Sequence, residues 1–229
     1  MASGDGLIGQ VGGALAESGA TMGLLPAGRG NDLARVLGVP DDVEAATDVL
    51  ASGRRREIDV GEVNGGRFLG IASCGFDSDA NRIANEARVV RGRLVYAYAA
   101  LRALAAWKPA RFTLTLDGGT RTFNGYSVAA ANSRAYGGGM FIAPAAELDD
   151  GLLDVVTTGQ TGKLHFLANL PKVFDGAHVD NPEVEVARAR ELRIEADRPF
   201  AVYADGDKVA DLPATVRLLP RALGVLVPA

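Results

Sequence analysis

Carboxylates in turns and glycines ahead of helices carry the chemical information in this sequence. Leu148-Asp149-Asp150-Gly151-Leu152-Leu153-Asp154 puts an acidic pair in a turn just before a strand-like run, and Ala204-Asp205-Gly206-Asp207 repeats the theme after Phe200–Tyr203. Asx-turn hydrogen bonding explains either cluster alone without any function. Two glycine loops, Ser3-Gly4-Asp5-Gly6 and Gly28-Arg29-Gly30-Asn31-Asp32, each precede a helix-like segment. Glycines let backbone N–H groups approach an anion, and a helix start adds partial positive charge; taken singly, such a loop is also plain punctuation. Acidic turns and glycine loops together demand more. Hard oxygen ligands suit magnesium, phosphoryl transfer needs charge neutralised on phosphate, and a carboxylate can take the proton of an attacking hydroxyl. The combination points to a kinase.

Other chemistries find little support. The two histidines, His165 and His178, stand singly among apolar or small residues, without metal-ligand company, and no serine or cysteine sits in a nucleophile elbow. Cys74 is the single cysteine, in an apolar run that reads as core, so no internal disulfide forms. A net charge of -4 argues against a general grip on nucleic acid. No uncharged run of about 18 apolar residues exists, since Arg91, Arg93, Arg102 and Lys108 interrupt the most apolar stretch. Neither a membrane span nor a secretion signal is read, and the expected location is cytoplasmic.

The elements that must position these residues follow from periodicity. Leu7, Ile8, Val11 and Leu15 share one helical face after the first loop. Met22–Leu25 reads as a strand, Asn31 or Asp32 as the cap of a helix from Leu33, and Asp41-Asp42 as the cap of a helix stopped by Gly53. Arg54-Arg55-Arg56 is either a solvated face or a phosphate or lipid headgroup contact. From Glu57 on, short strands parted by turns dominate: Glu57–Val63, Arg67–Ser73, Ala110–Leu116, Thr122–Ala131, Leu152–Thr157, Glu183–Ala187, Glu191–Ile194, Phe200–Tyr203, Ala214–Leu219 and Gly224–Val227. Asn64-Gly65-Gly66 and Asp117-Gly118-Gly119 are hairpin turns. Helices interrupt at about Asp79–Ala87, Leu94–Trp107 and Leu164–Phe174, the middle one apolar nearly all round and so either buried or facing lipid or another subunit. The fold class is α/β plus β: a partial nucleotide-binding α/β domain over 1–56, then a mainly antiparallel β-sandwich-like domain over 57–229 whose last strands may return toward the first. The first domain offers only one clear strand.

In order along the chain, these motifs resemble the diacylglycerol kinase catalytic family, bacterial lipid kinases related to sphingosine kinases. Ser3-Gly4-Asp5-Gly6 is similar to the family's GGDGT loop, and Gly28-Arg29-Gly30-Asn31-Asp32-Leu33-Ala34-Arg35 to its GTGNDFAR stretch. Ile58-Asp59-Val60-Gly61, Gly75-Phe76-Asp77, Asn132-Ser133-Arg134 through Gly137-Gly138-Gly139, Pro144, the Asp149–Asp154 turn and Tyr203-Ala204-Asp205-Gly206-Asp207 follow in sequence. The resemblance implies ATP held by Ser3, Gly4, Asp5, Gly6, Leu7, Gly28, Arg29, Gly30 and Asn31. It implies a structural magnesium on Asp150, with Asp149 beside it and backbone help from Glu147 and Leu152, and Asp207 as the proton acceptor. Diacylglycerol is the first substrate, at a membrane surface met by the apolar helix near Trp107. A sphingoid base, phosphatidylglycerol and a non-catalytic lipid-binding relative are the alternatives, and a homodimer is left open. Ser3, Leu7 and Arg29 depart from the family's glycine, threonine and threonine. The family's upstream strand and NPxSG-like loop have no counterpart here, so the resemblance implies a fragment or an incomplete nucleotide site.

Overall fold

The computed structural model describes residues 1–76, 78–80, 83 and 101–229. Strand β1 (Ala2–Ser3) leads into helix α1 (Asp5–Leu15), followed by β2 (Thr21–Met22), β3 (Leu25–Pro26), α2 (Asp32–Val36) and α3 (Val43–Ser52). The single strand read over Met22–Leu25 is two. β3 pairs in parallel with β1, while β2 pairs in parallel with the last strand of the chain. Gly23 breaks the run because its Cα lies against Leu50, where a side chain would meet Leu50 Cδ2 at 2.3 Å. The first segment therefore completes its sheet with Ala2–Ser3, two residues too few to register as a strand in the sequence. Helix α3 begins at Asp42, whose carboxylate accepts the Ala45 N–H at 2.9 Å, and closes at Gly53, as its sequence signals indicate.

Helix α1 departs from its apolar pattern. Leu7 is 51% exposed, whereas Ile8 is buried with Val11 and Leu15 packed beside the same core, and Gly9, Gly12 and Gly13 complete the inward face. Added side chains at Gly12 and Gly13 would meet Leu69 at 2.5 Å and Arg67 at 2.9 Å. The helix seats on its neighbours through missing side chains, and a periodicity of apolar residues cannot register that.

The β region continues with β4 (Arg54–Val63), β5 (Gly66–Phe68), β6 (Ile71–Gly75), β7 (Ala110–Leu116), β8 (Gly119–Ala131) and β9 (Leu153–Gly159). Helix α4 (Lys163–Asn169) and two short 3-10 turns (Leu170–Phe174, Ala177–Asp180) precede β10 (Val184–Ala189), β11 (Glu191–Ala196), β12 (Ala201–Ala204), β13 (Asp207–Asp211) and β14 (Ala214–Val227). The main path runs β13-β12-β6-β8-β7-β11-β14-β4-β5, with β9 on β8 and β10 on β9. It is antiparallel along that whole path, and the fold is an α/β part joined to a β-sandwich. Strand β8 serves two layers. Residues up to Gly125 pair with β7, and after a register shift between Gly125 and Ser127 the remainder lies between β6 and β9. Inside the sandwich Phe112, Tyr126, Val128, Leu153, Leu192 and Val202 are fully buried, together with Cys74.

Strand β14 joins the two parts. The sequence suggests two strands, Ala214–Leu219 and Gly224–Val227; the chain instead runs as one strand with a register shift between Leu219 and Leu223. Its first half pairs with β11 and β4, and its second with β2 and the beginning of β4. Leu223, Val225 and Val227 thereby enter the core of the first segment beside Ile8, Leu24 and Ile58. Conversely, Arg67–Ser73 is not one strand but β5 and β6, because the N–H groups of Leu69 and Gly70 leave the ladder to bond Asp205. Residues 78–80, 83 and 101–106 are helical, and Leu94–Ala100, Arg91 and Arg93 lie outside the described residues. Trp107, read as part of a lipid-facing surface, is buried: its ring stacks on Tyr126 and Phe200 and meets the Phe76 ring edge-on. Of the described residues, none form a helix long and apolar enough to cross a membrane.

Candidate active site

Both glycine loops and the terminal acidic turn meet at the start of α1. Gly4 precedes the helix and Gly28 lies against it so closely that a Cβ on Gly28 would stand 2.4 Å from the Gly4 Cα. Asn31 sits in the left-handed region at φ 52° and turns its carboxamide oxygen back to accept the Gly28 N–H at 2.8 Å, closing the second loop. Neither Asn31 nor Asp32 caps α2 with its side chain. The cap comes from the first loop instead: Asp5 Oδ1 accepts the Leu33 N–H at 3.2 Å. Burial and the neighbouring Asp32 raise the Asp5 carboxyl above the usual range.

Asp32 is buried and reaches elsewhere. Its two oxygens accept the N–H groups of Gly138 and Gly139, each at 2.7 Å, while Arg35 donates to Oδ1 at 2.7 Å. The triple-glycine loop is thus fastened to the Gly28–Asn31 loop by a charge-assisted clamp. A side chain on Gly30 would meet Asp5 at 2.7 Å, Asp32 of its own loop at 3.0 Å and the Gly138 N at 3.4 Å, so three separated segments converge on one backbone position.

The third contribution comes from the β12–β13 hairpin. Asp205 and Gly206 have φ of 49° and 94°, a two-residue turn of the type that joins antiparallel strands. Asp205 accepts the Leu69 N–H at 2.7 Å and the Gly70 N–H at 2.9 Å, which fixes the hairpin tip over α1. Removal from water is the main cause that pushes its carboxyl up to about 6, against the lowering effect of those two bonds. A Cβ on Gly9 would fall 2.6 Å from Asp205 Oδ2. Asp207 stands on the exposed side of the same hairpin, accepts a bond from Gln10 Nε2 at 2.8 Å, and lies 3.6 Å from where a Cβ on Gly6 would be. Ser3, Gly4, Asp5, Gly6, Gly28, Gly30, Asn31 and Asp207 are therefore gathered in one place. Leu7 and Arg29 are exposed beside them.

The acidic turn before β9 is a separate assembly. Asp59, fully buried on β4, accepts the N–H groups of Gly151 and Arg221, each at 2.7 Å, and donates its own N–H to Leu148. Asp149 is held by both arms of Arg56, at 2.9 Å each, and this pairing drops its carboxyl below the usual range. Asp150 accepts the Leu152 N–H at 3.0 Å on one oxygen and Arg188 on the other. All four oxygens of this pair are engaged, so the arrangement does not fit a magnesium held between them. Glu147 is exposed, and among the described residues no three acidic, histidine or cysteine side chains group as a metal site. Of the basic run, Arg55 binds Glu57 and Thr21, and Arg56 binds Asp149.

Sequence reasoning quoted Asp32, Asp59, Asp205 and Asn132 within motifs without the tethering roles they hold, and it did not single out Gln10. Asn132 is fully buried and donates to the carbonyls of Asp59 and Leu69 at 3.0 and 2.8 Å. Its signal was a polar residue directly following the apolar run Val128–Ala131. Away from this centre, an open pocket lies between the β8–β9 face and α4 with its following turns. Ala129, Val156, Phe166 and Val173 make its walls apolar, and His178 lines it as well. Burial lowers the His178 imidazole; Nε2 lies 3.1 Å from the Ile142 carbonyl, and Nδ1 is buried without a hydrogen-bond partner.

Comparison with known proteins supplies the family. Residues 1–63 match the family described as diacylglycerol kinase catalytic domain, and residues 70–227 match the YegS C-terminal NAD kinase beta sandwich-like domain. A diacylglycerol kinase of Mycobacterium tuberculosis is 37% identical over 235 residues, covering 100% of this chain and 76% of that protein. One from Bacillus subtilis is 28% identical, covering 99% and 76%, and a probable YegS-like lipid kinase of Pseudomonas fluorescens is 33% identical, covering 98% and 75%. A crystal structure of a diacylglycerol kinase from Bacillus anthracis superposes with a TM-score of 0.79 at 24% identity, over 99% of this chain and 76% of that one, which shows the fold. Two glycine loops, a clamped triple-glycine loop and an acidic hairpin, on a chain with these relatives, place the protein in the diacylglycerol kinase catalytic family as a lipid kinase.

Proposed function

We propose that this kinase transfers the γ-phosphate of ATP to the free hydroxyl of diacylglycerol, giving phosphatidic acid and ADP. The observation that carries the reading is the position of Asp207, whose carboxylate reaches over Gly6 at the N-terminus of α1. ATP, arriving as its magnesium complex, is co-substrate. Backbone N–H groups of the Gly4–Leu7 and Arg29–Asn31 segments would meet its phosphates, helped by the helix start and by the exposed guanidinium of Arg29. Asp207 Oδ2 accepts the proton of the lipid hydroxyl as that oxygen forms its bond to the γ-phosphorus. The bond from the γ-phosphorus to the bridging oxygen breaks, and ADP leaves with that electron pair. Gln10 holds Asp207 in place through its amide, and Asp205 fixes the hairpin that presents it.

The apolar pocket under α4 suits the acyl part of the substrate. The loop whose Gly138 and Gly139 are clamped by Asp32 continues to Ile142 on the pocket wall, so one segment borders both places. The roof of the pocket exposes Leu164 at 84% and Phe174 at 52%, side chains suited to dip into a bilayer from which the lipid is drawn. Incubation with γ-labelled ATP and vesicles containing diacylglycerol, a sphingoid base or phosphatidylglycerol tests the substrate. Label is expected in phosphatidic acid; label carried only by another lipid would replace diacylglycerol as the acceptor.

A further inference from the structure

The turn from Glu147 to Asp154 packs four carboxylates into eight residues, and such density requires counter-charge. Hard oxygens at this spacing suit a divalent cation, yet the structure assigns them another partner. Arg188 lies directly opposite Asp154 in the β9–β10 ladder. From there its guanidinium pairs with Asp150 through Nη2 and faces Asp154, with Nε 3.7 Å from Oδ2. That oxygen of Asp154 is buried and has no hydrogen bond, so Arg188 is the cation that answers its charge. Arg56 closes on Asp149 from the other side as a two-armed fork, the geometry in which guanidinium matches carboxylate best. The neighbouring carbonyls are engaged too: Ala146 accepts from Arg134 Nε at 3.0 Å, and Leu148 accepts the Asp59 N–H at 2.6 Å. A magnesium ion needs about six oxygens in a near-octahedral shell, and to gather them here it would first have to displace both arginines.

We propose that Arg188 and Arg56 are the counter-cations of this turn, in place of a resident divalent ion, so that the folded turn is indifferent to magnesium. The β-ladder register sets Arg188 opposite Asp154, and the position of β4 sets Arg56, so the charge balance is written into the fold rather than drawn from solution.

Thermal unfolding of the full chain without nucleotide, in EDTA and in excess magnesium, tests this, together with manganese binding followed by electron paramagnetic resonance. The midpoint should be the same in both buffers, and no manganese should bind at the turn. Arg188→Met should lower the midpoint in either buffer, and adding Asp150→Asn to it should lower it little further, because the pair is already broken. A wild-type midpoint that rises with magnesium, with the rise abolished by Asp150→Asn, would overturn the proposal. So would an Arg188→Met chain as stable in EDTA as the wild type. The manganese measurement on the wild-type chain decides the matter even if Arg188→Met does not fold.

Discussion

Two aspartates separated by one glycine divide the work of the β12–β13 hairpin. Asp207 is exposed and accepts a bond from Gln10, whereas Asp205 is drawn inward onto the Leu69 and Gly70 N–H groups. The sequence motif made both visible but gave no means of telling them apart, since depth is set by the strand register that follows. Their difference has a pH signature. Asp205 keeps its proton up to about 6 in the folded chain, compared with 3.8 for a free carboxyl. The folded state thus binds more protons than the unfolded state between those values, and stability falls as pH rises through that window, then levels off above it. Relative to Asp205→Asn, the wild type should lose about 2 kcal/mol of unfolding free energy from pH ~4 to ~6, the slope reaching at most ~1.4 kcal/mol per pH unit. Denaturant titrations across that range check it, and parallel curves for the two proteins would show that Asp205 is not the group responsible.

At the scale of elements, loops are joined by carboxylates and by absent side chains. Asp32 holds the triple-glycine loop to the second glycine loop, so Asp32→Ala leaves two N–H groups without their acceptor and Arg35 without its ion pair, though still bonded to the Gly30 carbonyl. We expect a loss of about 2–4 kcal/mol, the scale for two part-buried N–H donors that lose a charged acceptor. Amide exchange at Gly138 and Gly139 should accelerate in step, and unchanged exchange there would contradict the clamp. Gly28→Ala places a methyl 2.4 Å from the Gly4 backbone, which has no rotamer to give way, and should cost about 1–3 kcal/mol as overpacking does. Equal unfolding midpoints for the variant and wild type would refute that contact. These elements also show what was legible. Turn chemistry and alternation marked Ala110–Leu116, α3 and the Asn64-Gly65 and Asp117-Gly118 hairpins well, because those signals are local. The glycine face of α1, the division of Arg67–Ser73 at the Asp205 bonds and the cap of α2 by Asp5 are all set by residues far away in the chain, where a local pattern carries no trace.

For the molecule as a whole, the last strand binds the parts into one catalytic body. Strand β14 runs from the sandwich into the sheet of the first segment, and the core there contains Leu223 and Val225 beside Ile8 of α1. The same long-range closure carries Asp207 from the C-terminal region to Gly6 near the N-terminus. Ordered motifs made the family readable from the sequence; the arginines on the acidic turn and the burial of Trp107 were not, since both depend on how strands lie across one another. The central claim is that Asp207 takes the lipid proton during phosphoryl transfer. Its most direct test is transfer of label from γ-labelled ATP to diacylglycerol vesicles by the wild type and by Asp207→Asn, with unfolding curves recorded for both. Loss of a general base lowers rates by about 10²–10⁴, so the variant should fold like the wild type and transfer at least ~100-fold less label. Transfer at the wild-type rate by a folded Asp207→Asn protein would contradict the account.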